Sequence, residues 1–187
     1  MGKETRGMER NIAMVALFAA LIAVLGLVPG FTLMTGVPVS AQSLGIMLCG
    51  AVLGARRGAL AVLLFLLVVA LGLPVLAGGR GGIGVFVGPT AGFLVGFPVA
   101  AFVTGWIVEK WRSADLALVA GLASLVGGVF VLYVFGWAGM MIVIGLSPVE
   151  AAGALTAFVP GDLIKAAAAG LVTRGIYMAR PGVVLTR

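Results

Sequence analysis

The chain has 187 residues, 62% of them hydrophobic and 10% charged, with a mean hydropathy of +1.25. Water-soluble domains average about 25% charged residues, so a solvated globular surface is excluded. The net charge of +6 would suggest nucleic acid in a soluble protein, but these cations lie in short stretches between apolar runs, where they orient a membrane chain and touch anionic lipid.

Six apolar spans are predicted, at residues 11–28, 39–55, 59–73, 89–108, 114–136 and 160–178. Each approaches the roughly 20 residues that cross a bilayer, and together they make 1–187 a single transmembrane domain. The start MGKETRGMER carries both signs ahead of a long apolar run, so a retained first span is expected rather than a cleaved signal peptide. Within that span Ala16, Ala19, Ala20 and Ala23 recur at i, i+3, i+4 and i+7, a smooth face for another helix. The partner helix is either internal or supplied by a docking protein. Pro29-Gly30 closes the span, and the uncharged, hydroxyl-rich FTLMTGVPVSAQ leads into the second.

Gln42, a lone amide at the outer end of the second span, suits either an interhelical hydrogen bond or a ligand contact. Cys49, the single cysteine, excludes an intramolecular disulfide and reads as a small buried residue. Arg56-Arg57-Gly58 is expected to make a tight cytoplasmic turn. The second and third spans are short, which implies tilt or a thin local bilayer. After Gly72 and Pro74 the segment from Ala77 to Gly88 is too broken for a helix and too apolar for a linker. Irregular backbone of this kind is tolerated where it is buried in protein or lines a cavity.

Pro89 is expected at the first position of the fourth helix, and Gly92 and Gly96 form a small-xxx-small pair. Ser113, Ala114 and Asp115 read as an N-cap and acidic first turn. The apolar stretch 116–146 is too long for one simple crossing and is divided near Gly136, with Trp137 at the outer interface. Ser147-Pro148-Val149-Glu150 has capping-box spacing for a short outer helix, which Pro160-Gly161 separates from the last span.

Ten of the twelve basic residues fall in four clusters: Lys3, Arg6 and Arg10; Arg56 and Arg57; Lys110 and Arg112; Arg174, Arg180 and Arg187. Their alternation predicts an all-α protein with six transmembrane helices and both termini in the cytoplasm. The exceptions, Arg80 and Lys165, fall toward the outer face. Lys165 stands at i+3 from Asp162 at the start of the last span. A helix N-terminus welcomes the carboxylate and opposes the ammonium, so something must compensate the lysine. Either Asp162 caps the helix while Lys165 snorkels outward, or both heads point into a solvated cavity and hold a polar ligand with Arg80 as a second cation. Phe86 and Phe93 are candidates to wall such a cavity.

Several chemistries are absent. There is no histidine, hence no His-based triad or imidazole metal site, and no plausible nucleophile–base pair for an intramembrane enzyme. No G-x-x-x-x-G-K-[ST] motif occurs, so ATP-driven transport would need another subunit to hydrolyse the nucleotide.

Four segments in order, ALFAALIAV, VPVSAQSLGIMLCGAVLG, GLPVLAGGRGGIGVFVGPTAGFLVGF and PGDLIK, resemble the BioY family, the substrate-binding S component of energy-coupling-factor (ECF) biotin transporters. The resemblance spans nearly the whole chain. It implies an ECF S-component-like fold in a prokaryotic cell membrane, with biotin held near the outer face and no cofactor, metal or nucleic acid. It implies that Ala16, Ala19, Ala20 and Ala23 meet a membrane scaffold, the T component, coupled to cytoplasmic ATPases. It maps Asp162 and Lys165 onto polar ligand contacts, and Gly78 and Gly79 onto the loop that closes over the vitamin. Phe93 stands where the family has an aromatic residue, here without a phenolic hydroxyl. Arg80 and Lys165 both remain candidates for the biotin carboxylate. A subunit for a different vitamin and a solitary biotin facilitator are the alternatives; cationic thiamine would pair poorly with two outer cations.

Overall fold

A computed structural model describes residues 2–187, with side chains at 7–30 and 32–187; the side chains of Lys3 and Arg6, expected in the first basic cluster, lie outside that description. Helix α1, Gly2–Gly26, ends where a Cβ on its last glycine would strike the Val75 carbonyl and the Gln42 side chain. Its inward stripe is Ala19, Ile22 and Gly26, spaced i, i+3 and i+7. Of the four alanines expected on one docking face, Ala19 is therefore turned into the core, Ala23 is half-buried, and only Ala16 and Ala20 are exposed.

A two-residue antiparallel hairpin follows, β1 (Phe31–Thr32) and β2 (Pro38–Val39). Helices α2 (Gln42–Leu53) and α3 (Ala55–Ala70) then fold back on each other around one residue. That residue is Gly54, whose φ of 89° suits only glycine. The turn thus falls before the expected Arg56-Arg57-Gly58, which instead begins α3. Glu109 fixes its position by accepting from the Ala55 N–H at 3.1 Å.

The segment 71–90 is irregular, as expected. Leu76 and Arg80 bridge each other, Gly78 and Gly79 turn the chain at φ of 78° and 68°, and a 3-10 turn covers Ile83–Val87. Helix α4, Ala91–Lys110, begins two residues after Pro89. Pro89 is not its first residue; its ring packs beside Gly36 of the hairpin loop.

Helices α5 (Leu116–Leu125) and α6 (Leu132–Ile144) are joined by a π-helical turn, Val126–Val131, with no interruption near Gly136. Gly136 does not break the helix because its missing side chain serves packing: the Phe93 ring lies against it. The irregularity sits earlier, where Gly127 meets Thr104 and Gly128 meets Met47. Asp115 caps α5 by accepting from the N–H groups of Ala117 and Leu118. The Ser147–Glu150 capping box is present on α7 (Pro148–Thr156), and Trp137 Nε1 donates to the Pro148 carbonyl at 3.0 Å. Helix α8, Val159–Ala179, leaves α7 at a bend of 54° and includes Pro160 in its first turn.

By length and composition, residues 7–26, 91–110 and 116–144 can each cross a membrane, and α7 with α8 form a fourth span if the bent pair counts as one. Helix α2, at 12 residues, rises only about 18 Å. The centre of the bundle is α4, which packs on α2, α3, α5 and α6. Close crossings use glycine. A Cβ on Gly105 would overlap the Gly54–Ala55 peptide, and one on Gly92 would overlap the Phe135 carbonyl beside Gly139. Such contacts let helices attract without a hydrophobic driving force between them.

Candidate functional site

At the end of the bundle that carries the hairpin and the 71–90 segment, α2, α4, α6 and α8 surround a cleft of about 530 Å³ counted to its open mouth. Its apolar wall includes Leu76, Phe93, Leu94, Phe97, Leu132 and Phe158. The Phe93 and Phe158 rings pack at 5.8 Å between centroids, and Tyr133 meets Phe158 edge-on at 6.5 Å.

The polar floor is built from the start of α8. Asp162 sits in its first turn, where the helix dipole favours an anion, and is only 3% exposed. Its Oδ1 accepts from Ser43 Oγ at 3.0 Å and from Lys165 Nζ at 2.9 Å, and its Oδ2 accepts from Tyr133 at 2.9 Å. Lys165 Nζ also donates to the Ser40 carbonyl at 2.6 Å and to Ser43 Oγ at 3.0 Å. All three ammonium hydrogens thus have acceptors, which is how a lysine is compensated at a helix N-terminus. The pair faces the cleft, which decides against an outward-snorkelling lysine.

Arg80 enters the same cleft from the irregular segment under different constraints. Its Nε donates to the Ala77 carbonyl at 3.1 Å, and Nη1 has a long contact of 3.5 Å to Thr90 Oγ1. It forms no ion pair among the described residues. Burial lowers its pKa from the usual value, since a desolvated cation without a counter-charge is disfavoured. The floor is electrically closed; the mouth holds a cation with donors to spare.

Family and structural comparisons bear on this site directly. A family model described as the BioY family matches residues 2–182. The chain belongs to the BioY family. It is 54% identical over 189 residues to the biotin transporter BioY of Rhodobacter capsulatus, covering 96% of this chain and 100% of that protein. It is 49% identical over 178 residues to the biotin transporter BioY of Rhizobium etli, covering 92% and 95% respectively. Among solved structures, the S-component for biotin from an ECF-type ABC transporter superimposes with a TM-score of 0.87 at 27% identity, covering 95% of both chains.

Of the site residues expected in this family member, Asp162, Lys165, Arg80, Phe93 and Gln42 all line the cleft. Gln42 is bound up structurally: Nε2 donates to the Ile22 and Val75 carbonyls at 3.2 and 3.1 Å, and Oε1 accepts from the Ala77 N–H at 2.9 Å. Both amide hydrogens are thus taken by backbone carbonyls, one of them on α1, the kind of bond the interhelical alternative describes. Gly78 and Gly79 line a separate groove beside Pro29 and Thr32, so they set the course of the chain between Ala77 and Arg80 instead of walling the cleft. Phe86 does not line it either. Sequence reasoning missed Ser40, Ser43 and Tyr133. The hydroxyl-rich approach to α2 was a usable signal for the serines. Tyr133, a phenol within a long apolar run, needs a partner for its hydroxyl when buried, and Asp162 supplies it.

Proposed function

We propose that this chain is the biotin-binding membrane subunit of an ATP-driven ECF-type uptake transporter. The observation that carries the reading is a cation, Arg80, without an ion pair among the described residues, in a cleft that joins an apolar wall to a hydrogen-bonded acid–lysine pair. Biotin has the matching chemistry: a ureido group with two N–H donors and a carbonyl, an apolar bicycle, and a valeryl chain ending in a carboxylate.

Asp162 Oδ2 accepts only from Tyr133, which leaves it a lone pair for a ureido N–H. The bicycle lies among Phe93, Phe97 and Phe158. Arg80, with guanidinium hydrogens left over, takes the carboxylate. Lys165 reaches the ureido oxygen only by releasing one of its three acceptors, so its primary part is to hold Asp162 in place.

Six crossings with both ends cytoplasmic complete the proposal. Arg56, Lys110 and Arg174 stand at the opposite end of the bundle from the cleft, near the contacts of Glu109 with Ala55 and of Arg174 with Asp115. This distribution supports a cytoplasmic setting for that end. Ala16 and Ala20, the exposed members of the alanine series, offer a smooth face for a scaffold helix. The absence of any phosphate-cradle motif assigns ATP hydrolysis to partner subunits, and copurification with a T component checks that assignment.

The test is biotin binding to the purified chain in detergent. Asp162→Asn and Lys165→Ala should each weaken binding by about tenfold or more, since a hydrogen bond to a charged group is worth about 1.5–3 kcal/mol. Unchanged affinity in either variant refutes the assignment.

A further inference from the structure

At the opposite end from the cleft, a second cavity opens between the start of α3 and the end of α4. It measures about 970 Å³ counted to its mouth and is lined by Leu53, Ala55, Arg56, Arg57, Phe102, Trp106 and Glu109. We propose that this cavity holds the headgroup of an anionic phospholipid, with its acyl chains lying along the seam between α3 and α4.

The two arginines occupy the first turn of α3, where the helix dipole opposes cations. Neither forms an ion pair among the described residues. The lining carboxylate does not neutralise them: Glu109 Oε1 is turned to the Ala55 N–H and the Gly54 backbone. Adjacent cations, an unfavourable dipole and a roomy concavity call for an external anion, and two guanidinium forks match phosphate oxygens.

The surroundings specify a lipid as the source of that phosphate. Trp106 and Phe102 on the cavity wall are 51% and 41% exposed, and indole is favoured at headgroup depth. Farther along the same two helices Leu60 and Leu63 are exposed on α3 and Val99 on α4. A free anion would need only the arginines, whereas a phosphodiester carrying acyl chains uses both halves of this surface. The inference rests on the topological part of the proposed function, since it assigns this end to a leaflet surface, but not on the identity of the transported ligand.

The test uses the full chain with Trp111→Phe and Trp137→Phe, leaving Trp106 as the only indole of the original three. The chain is reconstituted in mixed phosphatidylglycerol and phosphatidylcholine vesicles, with brominated acyl chains on one lipid or the other. Phosphatidylglycerol should quench Trp106 as though enriched about tenfold over its mole fraction, as two arginines near an anionic headgroup imply. Arg56→Gln with Arg57→Gln should reduce the quenching to the mole fraction, while Arg56→Lys with Arg57→Lys should retain most of the enrichment. Arg174→Gln with Arg180→Gln, which removes two charges elsewhere at this end, should leave it unchanged.

Quenching in simple proportion to lipid composition would overturn the proposal. So would equal loss from the Arg174 and Arg180 changes, which would mean diffuse attraction to the surface. Displacement of brominated phosphatidylglycerol by millimolar inorganic phosphate would mean a free-anion site and would also overturn it. Monodisperse elution and an unchanged thermal midpoint confirm that each variant is folded. Biotin binding is scored separately, so failure of the transport reading and failure of the lipid reading remain distinguishable.

Discussion

Around Gly54 the helices meet backbone to backbone; around Asp162 they are held apart by side chains. In the first region Gly105 lies against the Gly54–Ala55 peptide and Gly50 against the Ala101 carbonyl and Thr104, closer than any side chain would allow. In the second, Ser43 of α2 and Tyr133 of α6 reach across to the Asp162 carboxylate, which Lys165 joins from its own helix, beside open space. Steric contact fixes a position once and for all. Polar contact keeps a vacancy whose hydrogen bonds can be exchanged for those of a ligand. A binding subunit needs both, and this fold puts them at opposite ends of α2.

The largest effect expected from breaking this division is at the glycine end. Gly105→Leu should part α2, α3 and α4 and destabilise the chain by about 3 kcal/mol or more, read as aggregation or a lower thermal midpoint in detergent; a midpoint within a degree of the parent would show that the crossing can relax. At the cleft end the effects should fall on ligand and not on fold. Arg80→Gln should weaken biotin by about 10- to 100-fold, the worth of one charged hydrogen bond, while leaving biotin amide nearly untouched. Equal weakening for both ligands would take Arg80 off the carboxylate. Smallest is Tyr133→Phe, which removes one of three donors to Asp162 and should cost about threefold to tenfold in biotin affinity at an unchanged thermal midpoint. A drop in the midpoint instead would make the phenol a structural strut.

Short-range chemistry was readable from the residues. The Ser147–Glu150 box and the Asp115 cap depend on neighbours three positions away, and both are present. Asp162 and Lys165 were readable for the same reason, lying within one turn of α8. Ser43 was not, because it meets Asp162 across 119 positions of chain, and no local pattern encodes which helices will adjoin. Glycine is the residue type whose part is least legible in sequence. The break expected near Gly136 is absent because that glycine seats the Phe93 ring, whereas Gly78 and Gly79 turn the chain beside Pro29 and Thr32. A glycine can serve conformation or close approach, and only the neighbouring element says which.

Gln42 ties three backbones with a single side chain: α1 at Ile22, and the irregular segment at both Val75 and Ala77. Arg80 follows Ala77 by three residues and leans on its carbonyl. Any swing of that segment away from α2 must undo two of these bonds together and carry the guanidinium along with it. The amide is thus a latch, and the Arg80 guanidinium rides on the door it fastens.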